Sequence, residues 1–281
     1  MNIVFIAGIG HSGSTLLNFI LGAQSNTFSI GEIDKFINND TKKVFVERYL
    51  KREKYPCSCG KNPGDCPFWS EFGKFITSVE NKSYIENYQY ATSLIRQQFG
   101  AAYMIDSSKN IHALRRVASV VSKLNDTVNL KVIHLSKDVR NFTASNIRSK
   151  RLKSVLKNFK KWNTQNSKFE TFLNENDISY MNVGYEELAI STELVAKNMA
   201  AFLGLSENEI EVTLQPKESH ILLGNPMRLD KKKSSKIEYD YHWFTSLKIP
   251  AWYTITPGLH QKNMKWVYSN IAETFREKGA V

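Results

Sequence analysis

The chain opens on an uninterrupted apolar stretch, Ile3-Val4-Phe5-Ile6-Ala7, rich in β-branched residues. A run without polar alternation predicts a strand buried on both faces. A glycine-rich turn follows, Gly8-Ile9-Gly10-His11-Ser12-Gly13-Ser14-Thr15, and then Leu16, Leu17, Ile20 and Leu21 recur at helical spacing. The pattern thus reads strand, glycine loop, helix.

The same grammar returns three times. Tyr103-Met104-Ile105 predicts a strand leading into Asp106-Ser107-Ser108-Lys109, with an amphipathic helix from about His112. Leu130-Lys131-Val132-Ile133-His134-Leu135 predicts another, followed by Ser136-Lys137-Asp138 and a helix through Arg148. Ser179-Tyr180-Met181-Asn182-Val183 predicts a fourth, ahead of Tyr185-Glu186-Glu187-Leu188 and a helix from about Thr192 to Leu203. Mostly helical segments are expected over about 34–55, 67–100 and the lysine-rich 149–174, then loops from Glu218 and a helix from about Lys262 to Glu277. Strands alternating with helices predict an α/β fold, a parallel central sheet flanked by helices. With no repeat, low-complexity tract or linker, a single domain over residues 1–281 is expected.

Composition narrows the class. Of 281 residues, 42% are hydrophobic and 23% charged, enough for a core and contrary to disorder. The 38 Lys+Arg against 27 Asp+Glu give a net charge of +11, a field that attracts anions. The positive charge is spread from Lys42 to Lys278, with short clusters at 150–153, 157–161 and 231–233. Nucleic-acid binders concentrate it in a stripe with exposed aromatics, so no nucleic-acid partner is expected. A solvated basic surface explains the excess equally well. No apolar run approaches the ~18 residues of a membrane span. The first residues lack a basic signal-peptide region, so a cytoplasmic chain is expected and the N-X-S/T triplets at Asn81, Asn125 and Asn141 read as accidental. Three cysteines cannot build an even disulfide framework, which favours a reducing compartment.

The glycine loop has two local readings. Gly8-x-Gly10-x-x-Gly13 fits the dinucleotide fingerprint, with Glu32 and Asp34 as acids at a plausible distance. Gly8-x4-Gly13-Ser14-Thr15 also fits a phosphate loop with serine where the lysine normally stands. Loop amides at a helix start hold an anionic phosphate either way. Without the lysine, nucleoside triphosphate hydrolysis is disfavoured.

Gly10-His11-Ser12-Gly13-Ser14-Thr15-Leu16-Leu17 resembles the 5′-phosphosulfate loop of sulfotransferases, enzymes that use 3′-phosphoadenosine-5′-phosphosulfate (PAPS). Val132 to Ser145 is similar to that family's 3′-phosphate motif: a strand, a basic residue, here Lys137, and a serine eight positions on, here Ser145. Val183-Gly184-Tyr185-Glu186-Glu187-Leu188, Ala201-Phe202-Leu203-Gly204-Leu205, Asp106-Ser107-Ser108-Lys109 and Gly224-Asn225-Pro226-Met227-Arg228 resemble further family segments, so the likeness spans about residues 3–240. Cys57-Ser58-Cys59-Gly60 with Cys66-Pro67-Phe68-Trp69 is similar to bacterial-type members. The likeness is strongest to the carbohydrate and tyrosylprotein branches. It departs from them in having His11 where arginine or lysine is usual and Lys137 where arginine is more usual.

The resemblance implies a P-loop nucleoside-kinase-like sulfotransferase fold, PAPS as co-substrate, and a hydroxyl acceptor on a saccharide or a peptide tyrosine. It implies a donor site of Gly10, His11, Ser12, Gly13, Ser14, Thr15, Lys137, Ser145, Tyr185 and Arg228. Glu32, 21 residues after His11, matches the catalytic glutamate of tyrosylprotein sulfotransferases, and Lys109 the lysine on the sulfonate. Ser235, in Ser235-Lys236-Ile237-Glu238, is similarly placed to donate near the leaving group, and His11 to donate to the sulfonate. Each also has an ordinary reading: a glutamate near a helix start, a surface lysine, a loop serine, a core tyrosine at 185.

No metal is expected. Cys57-x-Cys59-x6-Cys66 lacks the usual Cys-x2-Cys spacing and an obvious fourth ligand nearby, so a structural loop or a labile pairing is favoured. Two rival functions stay open. One is an NAD(P)-dependent oxidoreductase using the Gly8-x-Gly10-x-x-Gly13 turn; it requires an acid ending a second strand, and Phe28-Ser29-Ile30 is short for one. The other is a non-catalytic anion-binding module with a decayed donor loop. The sequence leaves the oligomeric state open.

Overall fold

A computed structural model describes residues 1–10, 12–52, 55–78, 82–124, 128–205, 211–213, 219–224, 229 and 239–277. Five strands, β1 (Asn2–Gly8), β2 (Thr27–Gly31), β3 (Tyr103–Lys109), β4 (Asn129–Ser136) and β5 (Tyr180–Gly184), form one sheet in the order β2-β3-β1-β4-β5. β1 is the buried apolar run, with Ile3 to Ala7 withdrawn from water. The expected α/β architecture is found, with four of the five strands where the hydrophobic pattern predicts them.

The fifth is β2, five residues long and buried throughout. It pairs in parallel with β3, Thr27 opposite Tyr103 and Phe28 opposite Met104, with a register shift between Ser29 and Gly31. β3 also runs further than its apolar start suggests, through Asp106, Ser107 and Ser108 to Lys109. These polar residues stay in the strand because their groups are satisfied: Asp106 accepts from Ser108 N (2.8 Å), Ser108 Oγ (2.6 Å) and Tyr88 Oη (2.9 Å).

Of the expected long helical segments, the lysine-rich one is a single helix and the other two are broken. Residues 34–50 form short helical pieces, Asp34–Ile37, Asn39–Phe45 and a π-turn Val46–Leu50. Residues 67–99 form two helices, Pro67–Thr77 and Tyr84–Phe99. Pro67 suits the first turn, where its missing N–H is no loss. Ser83 and Glu86 close a reciprocal capping box at the next start, and Gly100 ends that helix at φ +63°. Val139–Arg148 and Val155–Glu175 are separate helices, the second capped by Ser154. The C-terminal helix is divided into Leu259–Val267 and Ser269–Glu277. No helix among the described residues is long and apolar enough to cross a membrane.

The chain divides into two compact units. The first comprises Met1–Ile6, Thr15–Lys131 and Thr213–Lys236. Its core is aromatic: Phe28 lies 4.5 Å from Phe99 and 5.4 Å from Phe68, and Phe36 lies 4.7 Å from Trp69, between ring centroids. The second comprises Ala7–Ser14, Val132–Val212 and Ile237–Val281. There β4 and β5 run parallel, Val132 opposite Tyr180 and Ser136 opposite Gly184. Trp162 and Trp266, both buried, pack 5.1 Å apart against this pair's end of the core. Trp162 Nε1 also donates to the Lys137 carbonyl at 2.7 Å. Trp243 is buried as well, whereas Trp252 is exposed.

Trp162 therefore combines packing with a backbone anchor, and two substitutions separate these. Trp162→Ala is expected to cost about 3–5 kcal/mol of unfolding free energy through the cavity it leaves. Trp162→Phe keeps most of the ring, orphans the carbonyl and is expected to cost about 1–3 kcal/mol. Equal losses in denaturant unfolding would assign the whole effect to the hydrogen bond.

Candidate functional site

In the second unit the site starts from the glycine loop. A Cβ on Gly8 would stand 2.5 Å from the Leu135 carbonyl oxygen, and one on Gly13 (φ +93°) would stand 2.6 Å from Tyr185 Cδ2. Gly13 thus meets two demands that only glycine satisfies, a left-handed backbone and a ring pressed against it. Ser12 and Ser14 are buried and Gly10 is exposed. The Ser12 hydroxyl is buried with no hydrogen-bond partner among the described residues. An orphaned hydroxyl in a glycine-lined loop fits the binding of a polar ligand.

Lys137 follows β4 and is nearly withdrawn from water. Its ammonium sits 4.6 Å over the Tyr185 ring, 3.4 Å from Ser145 Oγ and 3.0 Å from Asp240 Oδ2. Ser145 reaches it because the helix begins at Val139, capped by Asp138, whose carboxylate accepts from Arg140 N at 2.8 Å. Lys137, Ser145, Tyr185 and Gly13, chosen separately in the sequence, are therefore brought together.

Sequence reasoning missed Asp240. Its carboxylate also takes Arg148 Nη2 at 3.4 Å and His242 Nδ1 at 2.6 Å. Burial works against its charge, but Lys137 and His242 hold its carboxyl well below the usual carboxylate range. The same burial pushes Tyr185 above the usual phenol range, with the Asp240 charge adding to it. Beneath this cluster Glu186 accepts from Asp138 N (2.8 Å) and Asn141 Nδ2 (2.7 Å). Burial, then the Asp138 charge, push Glu186 up to about 7. Nothing local marks Asp240, which joins Lys137 across 103 positions.

In the first unit the two residues singled out as base and sulfonate lysine form one pair. Lys109 Nζ lies 2.7 Å from Glu32 Oε1, both side chains about one-fifth exposed. Glu32 follows β2 immediately, after Gly31 at φ +71°, where a Cβ would stand 2.9 Å from Ile221 Cγ2. Lys109 itself has φ +67°, a left-handed conformation that costs a non-glycine residue about 1–2 kcal/mol. Beside the pair, Asp34 is held by Arg116 through Nε (2.9 Å) and Nη2 (2.9 Å) and by Tyr84 Oη (3.1 Å). Asp34 N donates to Ser108 Oγ (3.1 Å), tying the turn after β2 to the end of β3. Burial pushes Asp106, which braces Ser108, up to about 7. Asp34, singled out in the sequence as an acid for a dinucleotide, is instead taken up by Arg116, which the sequence did not single out.

Thr15 is buried at the start of the helix Ser14–Gly22. His11, Arg228 and Ser235 lie outside the described residues. The three cysteines are free thiols, not a disulfide, and the fold adds a group that their spacing does not reveal, His220.

The strand order also bears on the oxidoreductase reading. Glu32 does end a second strand, but β3 stands between β1 and β2. In a doubly wound dinucleotide fold the second strand is next to the first.

No protein-family model matches the chain, and no curated protein does. Similar solved structures include the sulfotransferase domain from the Synechococcus PCC 7002 olefin synthase, 19% identical with a TM-score of 0.56, the match covering 98% of this chain and 94% of that one. The sulfotransferase domain from the curacin biosynthetic pathway is 18% identical with a TM-score of 0.57, covering 94% of this chain and 96% of that one. At such identity the likeness speaks for architecture. The five parallel strands, their order and this end-to-end likeness show that the chain has the sulfotransferase fold.

Proposed function

We propose that the chain, as a single domain over residues 1–281, transfers a sulfuryl group from PAPS to a hydroxyl acceptor, a saccharide or a peptide tyrosine. The observation that carries this reading is the buried Lys137 ammonium, which reaches both the Ser145 hydroxyl and an oxyanion. The oxyanion is the chain's own Asp240 carboxylate, next to a tyrosine ring seated on the loop glycine. A lysine that holds a carboxylate with a hydroxyl beside it has the chemistry to hold a 3′-phosphate.

In this reading the loop amides and Ser12 hold the 5′-phosphosulfate end, with His11 donating to the sulfonate. Lys137, Ser145 and Arg228 hold the 3′-phosphate, and Tyr185 packs by the adenine. Glu32 accepts the acceptor's proton while its oxygen attacks sulfur in line. The new O–S bond forms as the bond from sulfur to the 5′-phosphate oxygen breaks. Lys109, already bound to Glu32, offers its charge to the sulfonate, and Ser235 donates to the leaving oxygen. The three equatorial sulfonate oxygens carry charge through the transition state, so fixed donors aimed at them lower its energy more than that of the ground state. No metal enters these steps.

Calorimetric binding of 3′-phosphoadenosine-5′-phosphate, with adenosine 5′-phosphate, NAD and ATP as comparators, tests the donor assignment. Tight binding that collapses without the 3′-phosphate is expected; indifference to that phosphate, or preference for NAD, overturns it. Lys137→Ala should remove about 1.5–3 kcal/mol, one to two orders of magnitude in Kd, from the 3′-phosphorylated nucleotide and little from its 3′-dephospho analogue. Equal losses would sink the role given to Lys137.

Asp240 must leave Lys137 for a phosphate to arrive. Asp240→Asn should therefore tighten the 3′-phosphorylated nucleotide by about fivefold, equivalent to about 1 kcal/mol for a partly exposed carboxylate. Weaker binding would show that Asp240 supports the site instead of competing for it.

Glu32→Gln should lower kcat by about two orders of magnitude or more, with nucleotide Kd nearly unchanged. Normal turnover removes Glu32 as the base.

A further inference from the structure

The cysteine segment is not used by this chemistry, and it is built to a different end. Cys57 and Cys66 are fully buried and His220 nearly so, while Cys59 stands at the exposed mouth. One ligand atom from each of the four lies within 4.8 Å of every other, and Cys66 Sγ is 3.1 Å from His220 Nδ1. The edges of a tetrahedral zinc site with Zn–S near 2.3 Å and Zn–N near 2.0 Å are about 3.5–3.8 Å, so the four atoms already outline one.

We propose that Cys57, Cys59, Cys66 and His220 bind a single structural zinc ion.

Three sulfurs and an imidazole, with no carboxylate or open water position, are a donor set suited to zinc and unsuited to magnesium or calcium. The compactness argues for one ion, since a binuclear iron–sulfur cluster divides its four ligands between two irons. One sulfur also receives a backbone amide, since Trp69 N lies 3.5 Å from Cys66 Sγ. Amide donors of this kind favour the thiolate, the form that ligates a metal.

The histidine is fixed just as firmly. Its N–H donates to the Ser29 carbonyl (2.8 Å), its carbonyl accepts from Trp69 Nε1 (2.6 Å), and its ring stacks on Phe28 with centroids 5.0 Å apart. Ser58, between the first two cysteines, joins the same segment through Ser58 N to the Ile221 carbonyl (3.0 Å) and Ile221 N to Ser58 Oγ (2.8 Å). The ligands are therefore held in place by bonds that do not involve the ion. Zinc replaces the thiol protons, and its charge relieves the repulsion among the three thiolates. The site clasps residues 57–66 to 219–221, and Ile221 in turn backs Gly31, the residue before Glu32.

Elemental analysis of the full-length chain, purified under reducing conditions without chelator, should find one zinc per chain. A mercurial thiol reagent should release that zinc as it titrates the three cysteines. Cys66→Ser and His220→Ala should each lower zinc content more than tenfold. So that the test does not depend on the folding of these variants, the wild-type chain is also stripped with chelator and titrated with cobalt. Equimolar appearance of the intense visible bands of tetrahedral cobalt–thiolate is expected. The proposal is overturned if the purified chain holds no zinc and the stripped chain gives no cobalt bands. It is also overturned if both variants keep full metal content, or if the isolated chain shows a disulfide and one remaining thiol. None of these readouts depends on sulfuryl transfer.

Discussion

An ammonium group withdrawn from water must be neutralised where it sits, and much of the second unit answers that requirement at Lys137. Trp162 fixes its carbonyl, the Tyr185 face covers its charge, Ser145 accepts from it and Asp240 supplies the countercharge. Removing one member of such a buried pair costs more than the pair itself contributes, since the survivor is left charged and alone. A lysine reserved for a ligand therefore benefits from a resident anion that leaves when the ligand comes. Asp240 has that character: its carboxylate is partly open to water and comes from a separate stretch of chain.

The first unit separates structural from available charge by burial. Asp34 is almost fully enclosed and is met by the Arg116 fork and Tyr84. Asp106 is wholly enclosed and is met by Tyr88 and Ser108. Both carboxylates spend their hydrogen-bonding capacity on fixing the ends of β2 and β3. Glu32 and Lys109, one turn away and partly exposed, meet mainly each other. Their mutual attraction is weakened by water, so either can exchange its partner for a substrate at modest cost.

What was legible in the sequence follows from how locally each feature is encoded. β1 and β4 are buried on both faces, so their apolar runs announce them. β2 is five residues of mixed character, made a strand by its pairing with β3, and three residues of pattern gave little sign of it. The polar end of β3 was hidden for the opposite reason, because Tyr88 and Ser108 satisfy groups that normally end a strand. Lys137 and Ser145 could be matched because eight positions of strand and helix fix their relation. Asp240 and His220 reach their partners across 103 and 154 positions, and only the folded topology brings them there.

That distance is also the measure of what a zinc ion contributes. Closing a loop of 154 residues between Cys66 and His220 costs about 4–5 kcal/mol of chain entropy, before any side chain is ordered. A single sulfur–imidazole hydrogen bond contributes about 1 kcal/mol and cannot by itself hold the loop shut. The sheet pairing and the aromatic packing around Phe28 share that cost, and His220 meets β2 through the bridge at Ser219 and its N–H bond to the Ser29 carbonyl. A structural zinc at about 10–16 kcal/mol of apparent binding free energy exceeds the closure cost by a wide margin. The clasp thus makes a non-local contact behind the Glu32 turn independent of the weak interactions that surround it.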